Sequence, residues 1–90
     1  MYGGVSKMRN KYTVTFTSKC PNDDENITYE ATISTHMMIQ VEDIISFSQT
    51  FLLEPHYQED ITQQFFDRFG FKIKTFGVHQ GVKIECEIEP

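Results

Sequence analysis

Cys20 is the residue whose type and position best suit chemistry, because it ends an alternating segment and precedes a proline in Phe16-Thr17-Ser18-Lys19-Cys20-Pro21. A thiol at the end of a strand is expected where chemistry usually happens, rather than inside the core. It can act there as a nucleophile or a binding group if a neighbouring charge or base favours the thiolate. The alternative is a small structural residue at a turn, and the segment alone leaves both open.

Four alternating segments are predicted to position this thiol. Residues 11–18 and 27–34 alternate between apolar and polar side chains, which indicates two half-buried strands joined by the polar turn 21–26. Residues 71–75 and 82–88 alternate in the same way around a predicted turn at 77–81. Cys86 falls on the apolar face of the last strand, where it is expected to be a small core residue.

The middle of the chain has a helical period instead. Apolar residues recur at steps of three and four from Val41 to Leu52, and Pro55 should end this helix and open a second one. Tyr57, Ile61, Phe65 and Phe69 share a face of the second helix, and Gly70 is its expected cap. The order β-β-α-α-β-β predicts an α+β fold, with a four-stranded antiparallel sheet and two helices on one face.

Length and charge limit the possible functions. Ninety residues make one small domain, predicted as an arm at residues 1–10 and a single domain at 11–90. A net charge of −5 argues against general nucleic-acid binding, and no apolar run is long enough to span a membrane. The two cysteines do not make a disulfide framework, so a soluble, cytoplasmic protein is expected. A domain this small is expected to form a homo-oligomer.

Three segments carry a resemblance to a known family. FTSKCP at residues 16–21 resembles the strand before the catalytic Cys-Pro of the 7-cyano-7-deazaguanine reductases, the nitrile reductases of queuosine synthesis. Residues 56–60, His-Tyr-Gln-Glu-Asp, resemble the His-Glu-Asp stretch that starts their second helix, and residues 76–84 resemble their last hairpin. The family has the tunnelling fold (T-fold), whose order is also β-β-α-α-β-β.

The resemblance implies a site for a purine-like small molecule. Cys20 falls on the cysteine that attacks a nitrile carbon to form a thioimide, and Glu59 on the glutamate that holds the purine edge. Gln58 stands at the position of the family's histidine, with His56 two residues earlier. Cys20 and His56 are therefore the expected catalytic residues, Glu59 and Gln58 the expected substrate contacts, and NADPH the implied cofactor. T-fold subunits assemble edge to edge, with ligand sites between them.

Several positions depart from the family. The aspartate that donates a proton seven residues after the cysteine is Ile27 here, and only a shifted loop would let Asp23 or Asp24 replace it. Gln40-Val41-Glu42-Asp43-Ile44 stands where a Glu-Ser-Lys type motif is associated with NADPH, and it has no lysine. His79 or Gln80 replaces the arginine of the last turn.

Two functions of different classes follow. One is an enzyme that uses Cys20 on a deazapurine nitrile. The other is a T-fold binding or protein-interaction module that has lost reductase activity. A zinc site made by Cys20 with His36, His56 and His79 would need ligands with no paired spacing, so no metal is expected.

Overall fold

The structure, a computed structural model, describes residues 8–90 and consists of one sheet and two helices. The elements are β1 (Asn10–Lys19), β2 (Asn26–Thr35), α1 (Val41–Gln49), α2 (Gln58–Phe69), β3 (Lys72–His79) and β4 (Val82–Ile88). The strands pair antiparallel in the order β1-β2-β3-β4. Both helices lie on one face of this sheet, which confirms the predicted α+β class.

Alternation separates the two faces of the sheet. Ala31 and Ile33 of β2 are fully buried, and Ile33 pairs with the equally buried Ile73 of β3. On the other face, Thr13 and Thr32 share a cross-strand hydroxyl hydrogen bond of 3.0 Å. One apolar face for each strand is what the period-two pattern predicts.

An aromatic cluster joins the helices to the sheet. Phe65 of α2 stacks on Phe51 with ring centroids 5.6 Å apart, and Phe16 of β1 lies 5.7 Å from Phe65. Phe47 of α1 meets Phe65 edge-on at 4.9 Å. Offset and edge-on rings at such distances add stability beyond the area that they bury.

The boundary between the helices differs from the prediction. α1 ends at Gln49 and continues as one 3₁₀ turn, Thr50–Leu52, and α2 begins at Gln58 rather than at Pro55. The reason is tertiary: the His56 N–H donates to the Lys19 carbonyl at 3.0 Å, which holds the connector extended beside β1. Tyr57 therefore precedes the helix and is exposed, instead of lying on its apolar face.

The last hairpin is tighter than predicted. β3 continues to His79, so the turn consists of Gln80 and Gly81 rather than residues 77–81. Both have positive φ, 51° and 81°, as a two-residue turn matched to the twist of the strands requires. β4 is an edge strand with no fully buried residue, and Cys86 is half-buried rather than a core residue.

The ends of the chain and its helices can be described briefly. Residues 1–7 of the predicted arm lie outside the described residues, and Asn10 already belongs to β1. Gly70 caps α2 as predicted, with its N–H donated to the Phe66 carbonyl at 2.8 Å. Neither helix in the described range has the length and apolar character needed to cross a membrane.

Candidate functional site

A pocket of about 190 Å³ opens where the end of β1, the start of α2 and the last hairpin meet. All four residues predicted for the site line it, although they come from two segments more than thirty positions apart. The lining residues are Cys20, Pro21, Asn22, Ile27, Tyr29, His56, Tyr57, Gln58, Glu59, Gly77, His79 and Ile84.

Cys20 lies just after β1, in a turn that its own backbone closes. Its N–H donates to the Glu25 carbonyl at 2.8 Å, and its carbonyl accepts the Asp24 N–H at 2.9 Å. The residue is only 4% exposed and belongs to the buried core, so the prediction that a thiol at this strand end lies outside the core is wrong; its small exposed part borders the pocket. Lys19 is exposed on the opposite side of the strand, as expected for neighbouring strand residues. The thiol is thus fixed in position and shielded from bulk solvent.

Two hydrogen bonds tie the connector before α2 to the end of β1. One is the bond from the His56 N–H to the Lys19 carbonyl, and the other joins the Tyr57 hydroxyl to Asn22 Oδ1 at 2.8 Å. His56 Nδ1 lies 2.8 Å from the Glu54 carbonyl oxygen. A carbonyl only accepts, so Nδ1 carries the hydrogen and Nε2 of the neutral ring keeps its lone pair. His56 therefore brings a hydrogen-bond acceptor to the pocket wall.

Gln58 is buried, and its amide nitrogen makes hydrogen bonds within the protein. Nε2 donates to the Ile84 carbonyl at 3.0 Å and lies 3.2 and 3.3 Å from the hydroxyl and carbonyl oxygens of Thr75. Among the described residues, none donates to Oε1, and every fully buried side-chain polar atom has a partner. Oε1 is therefore accessible, and it is the only part of the Gln58 amide left to contact a ligand.

Glu59 differs from Gln58 in being exposed at the pocket rim. It lies in the first turn of α2, where the helix dipole favours a negative charge. None of the described side chains forms an ion pair with it. Its carboxylate is therefore available to accept hydrogen bonds from a ligand, although stabilising the helix end would also explain an acidic residue here.

Asp23 and His79 join the site beside Cys20. The sulfur of Cys20, a carboxylate oxygen of Asp23 and a ring nitrogen of His79 all lie within 4.8 Å of one another. His79 Nε2 donates to Asp23 Oδ2 at 3.2 Å, and Gln80 Nε2 donates to the same oxygen at 3.1 Å. The structure thus brings Asp23 to the thiol and leaves Asp24 exposed in the turn at a φ of 62°.

Hydrogen bonding keeps Asp23 ionised. The Glu25 N–H, donating to Oδ1 at 3.1 Å, and then His79 are the main causes that lower the pKa of Asp23 from 3.8 to about 2. Asp23 is therefore an acceptor at neutral pH. Its distance of three residues from Cys20 is a signal in the sequence, but its pairing with His79 depends on the tertiary fold.

The inner wall of the pocket is apolar and disfavours further negative charge. Ile27 is 3% exposed and offers no proton, in contrast with the aspartate of the resembled family. Burial, together with the nearby Cys20 and Glu59, raises the pKa of Tyr29 to about 12, and burial also raises the pKa of Cys86. Gly77 lets the Tyr29 ring approach, because a Cβ there would lie 2.6 Å from ring carbon Cδ1.

The residues present do not fit NADPH. No lysine or arginine lines the pocket in the described part of the chain, so nothing there would neutralise the cofactor's phosphates. The segment 40–44 opens α1 with Glu42 and Asp43, borders a different part of the surface, and would repel phosphate. No hydride-transfer step is therefore derived for this chain.

Comparisons with protein-family models, with curated proteins and with solved structures find no match to this chain.

Proposed function

We propose that this protein binds a planar, nitrogen-rich bicyclic ring of the purine or deazapurine class and that Cys20 forms a thioimide with a nitrile on that ring. The observation that carries the proposal is the convergence of Cys20, His56, Gln58 and Glu59 on one pocket. The pocket is smaller than the roughly 300–1,000 Å³ typical for drug-sized ligands, which suits a compact ring.

The polar groups of the pocket match the edge of such a ring. A purine-like ring with an exocyclic amine presents N–H donors, and the Glu59 carboxylate is an open acceptor at the pocket rim. Gln58 Oε1 and His56 Nε2 supply further acceptors. The apolar Ile27 and the Tyr29 ring provide surface for the flat faces of the ligand.

The covalent step is an addition that needs no oxidant or reductant. The sulfur forms a bond to the nitrile carbon as one C–N π bond breaks, and the thiol proton ends on the nitrile nitrogen. His79 and Asp23, within 4.8 Å of the sulfur, are the proton-handling groups for this transfer. The product is a reversible thioimide, at which the reaction stops in the absence of a hydride donor.

A noncovalent binding module is the second candidate. It is favoured by Ile27 in place of a proton donor and by the lack of lysine and arginine among the described residues that line the pocket. A cytoplasmic location and a homo-oligomer belong to both proposals. The two free cysteines, Cys20 and Cys86, suit a reducing compartment.

The adduct experiment separates the two candidates. Metal-free protein with 7-cyano-7-deazaguanine should gain the mass of one ligand and a new absorbance band. Cys20→Ala should abolish both, because it removes the nucleophile, whereas the other free thiol provides the matched control Cys86→Ala. An adduct that survives in Cys20→Ala would rule out the covalent mechanism. Noncovalent binding without an adduct would favour the binding module.

Glu59 can be tested separately from the thiol. Glu59→Gln should weaken ring binding by about 1–3 kcal/mol, the cost of mispairing a polar group in a site. Asp60→Asn is the matched control, because Asp60 lies in the same helical turn but does not line the pocket. Isothermal titration calorimetry measures both, and equal affinities for Glu59→Gln and wild type would remove Glu59 from the site.

A further inference from the structure

Cys20, Asp23 and His79 offer three different kinds of metal ligand at one point. The sulfur, the carboxylate and the imidazole lie within 4.8 Å of one another, although His79 is more than fifty residues from the other two. The sequence predicts no metal because no paired ligand spacing occurs along the chain. The fold supplies the proximity instead, by placing the end of β3 beside the turn that follows β1.

The spacing of the His79 and Asp23 atoms is close to that of neighbouring ligands on one ion. His79 Nε2 and Asp23 Oδ2 are 3.2 Å apart. Two ligands at about 2.0–2.2 Å from a tetrahedral zinc ion are separated by about 3.3–3.5 Å. Small side-chain adjustments are therefore enough to exchange the direct hydrogen bond for two bonds to a shared metal.

Hydrogen bonds from neighbouring groups hold the Asp23 carboxylate in a fixed position. The Glu25 N–H fixes Asp23 Oδ1 at 3.1 Å, and Gln80 Nε2 fixes Oδ2 at 3.1 Å. Such outer hydrogen bonds orient ligands in metal sites and commonly contribute 10–100-fold to affinity. Cys20 is 4% exposed and held in its closed turn, so two of the three groups are fixed before an ion arrives.

We propose that Cys20, Asp23 and His79 bind a zinc-class divalent metal ion at the edge of the pocket. A mixed sulfur, nitrogen and oxygen ligand set suits zinc rather than magnesium or calcium, which prefer oxygen alone. Three protein ligands leave a fourth position, as in zinc sites that take water or a substrate group. Cys20 and His79 both line the pocket, so a ligand bound in the pocket can reach this fourth coordination position. Metal binding stands independently of the ring-binding proposal.

Cobalt(II), a spectroscopic substitute for zinc, tests the site on the 90-residue chain without ring ligand. Cys86→Ser leaves Cys20 as the only thiol, so a sulfur-to-cobalt charge-transfer band in this variant must come from Cys20. We expect that band, four-coordinate d–d absorption and one ion per chain, with zinc displacing cobalt. No saturable binding, or binding without the sulfur band, would overturn the proposal.

Matched substitutions then identify the other ligands. Asp23→Asn and His79→Gln should each weaken zinc binding at least tenfold in calorimetric titrations. Asp24→Asn and His36→Gln are the controls, since both residues are exposed and lie outside the cluster. Equal losses in the controls would refute the assignment. Circular dichroism confirms folding, and the Cys86→Ser result remains decisive if a ligand variant fails to fold.

The tests of metal binding and of adduct formation are independent, so one can fail while the other succeeds. The adduct is measured in the presence of a chelator, and the metal titrations contain no nitrile. Zinc binding without an adduct supports the metal site and rules out the covalent mechanism. An adduct without zinc binding supports the covalent mechanism and rules out the metal site. If both occur, zinc should suppress the adduct, because a sulfur bound to metal is no longer the free nucleophile.

Discussion

The chemistry available to Cys20 depends on Asp23 and His79, neither of which belongs to β1. The thiol, the predicted helix-start residues and the pocket that they share could be anticipated from local motifs. The contact between Asp23 and His79 could not, because it depends on how far β3 extends beyond Gly77. Alternation predicts that a strand exists better than it predicts where the strand ends.

The ionised Asp23 makes the stability of the protein pH-dependent. Its pKa is about 2 in the folded protein against an ordinary 3.8. Because the folded pKa is the lower one, the carboxylate's contribution is fully present above the unfolded pKa and is lost as pH falls through the folded pKa. Asp23→Asn should therefore differ most from wild type in unfolding free energy above about pH 4, and the difference should shrink toward about pH 2.

Urea unfolding at several pH values measures this effect. Asp24→Asn serves as the control, because it removes the same charge from the same turn without these hydrogen bonds. A wild-type advantage over Asp23→Asn that stays constant across this range would contradict the assigned hydrogen bonds.

At the scale of elements, the first turn of α2 fastens the helix to the sheet as well as forming a pocket wall. Gln58 Nε2 reaches β3 and β4, while the Thr62 hydroxyl donates to the Gln58 carbonyl at 2.8 Å and lies 2.7 Å from the Thr75 hydroxyl. The sequence placed Gln58 at the site but gave no sign of this buried network, because polar residues on a helix usually indicate a solvated face.

Replacing Gln58 should therefore cost stability even without a ligand. Gln58→Met keeps the length of the side chain but leaves buried acceptors on β3 and β4 without their donor, so we expect a loss of about 1–3 kcal/mol in unfolding free energy. Gln64→Met is the matched control at an exposed position of the same helix. Equal stability of the two variants in urea unfolding would show that the network contributes nothing.

The predicted order of elements is correct because each strand has one apolar face and each helix one apolar stripe. α2 begins at Gln58 rather than at Pro55 because the His56 N–H donates to β1 and takes no part in the helix. The preference of proline for the first turn of a helix cannot reveal this hydrogen bond to β1, because the bond forms only in the folded chain. The half-buried position of Cys86 likewise follows from β4 being at the edge, which periodicity does not reveal.

At the scale of the whole molecule, the outer edges of β1 and β4 have no strand paired to them within residues 8–90. The outer edge strand β1 is ten residues long and carries Lys11 and Lys19, whereas β4 carries Glu85 and Glu87 with one lysine, Lys83, and is negative on balance. Exposed edges of this kind are templates for pairing with another chain. Their opposite charges favour β1 of one copy against β4 of the next, in keeping with the proposed homo-oligomer.

Sedimentation velocity tests this assembly. We expect a species larger than the monomer at micromolar concentration, and partial dissociation at raised salt, because screening weakens attraction between exposed charges. A monomer under both conditions would contradict edge pairing. It would leave the pocket described here as the complete site.

The pocket also imposes an order of events during synthesis. Cys20 leaves the ribosome more than fifty residues before His79 and Ile84, which complete the walls around it. Closing contacts so distant in sequence is slow relative to forming the first hairpin. Throughout that interval the thiol lacks the side chains of β3 and β4 that surround it in the finished pocket. The surroundings of Cys20 therefore differ between the chain during synthesis and the folded protein.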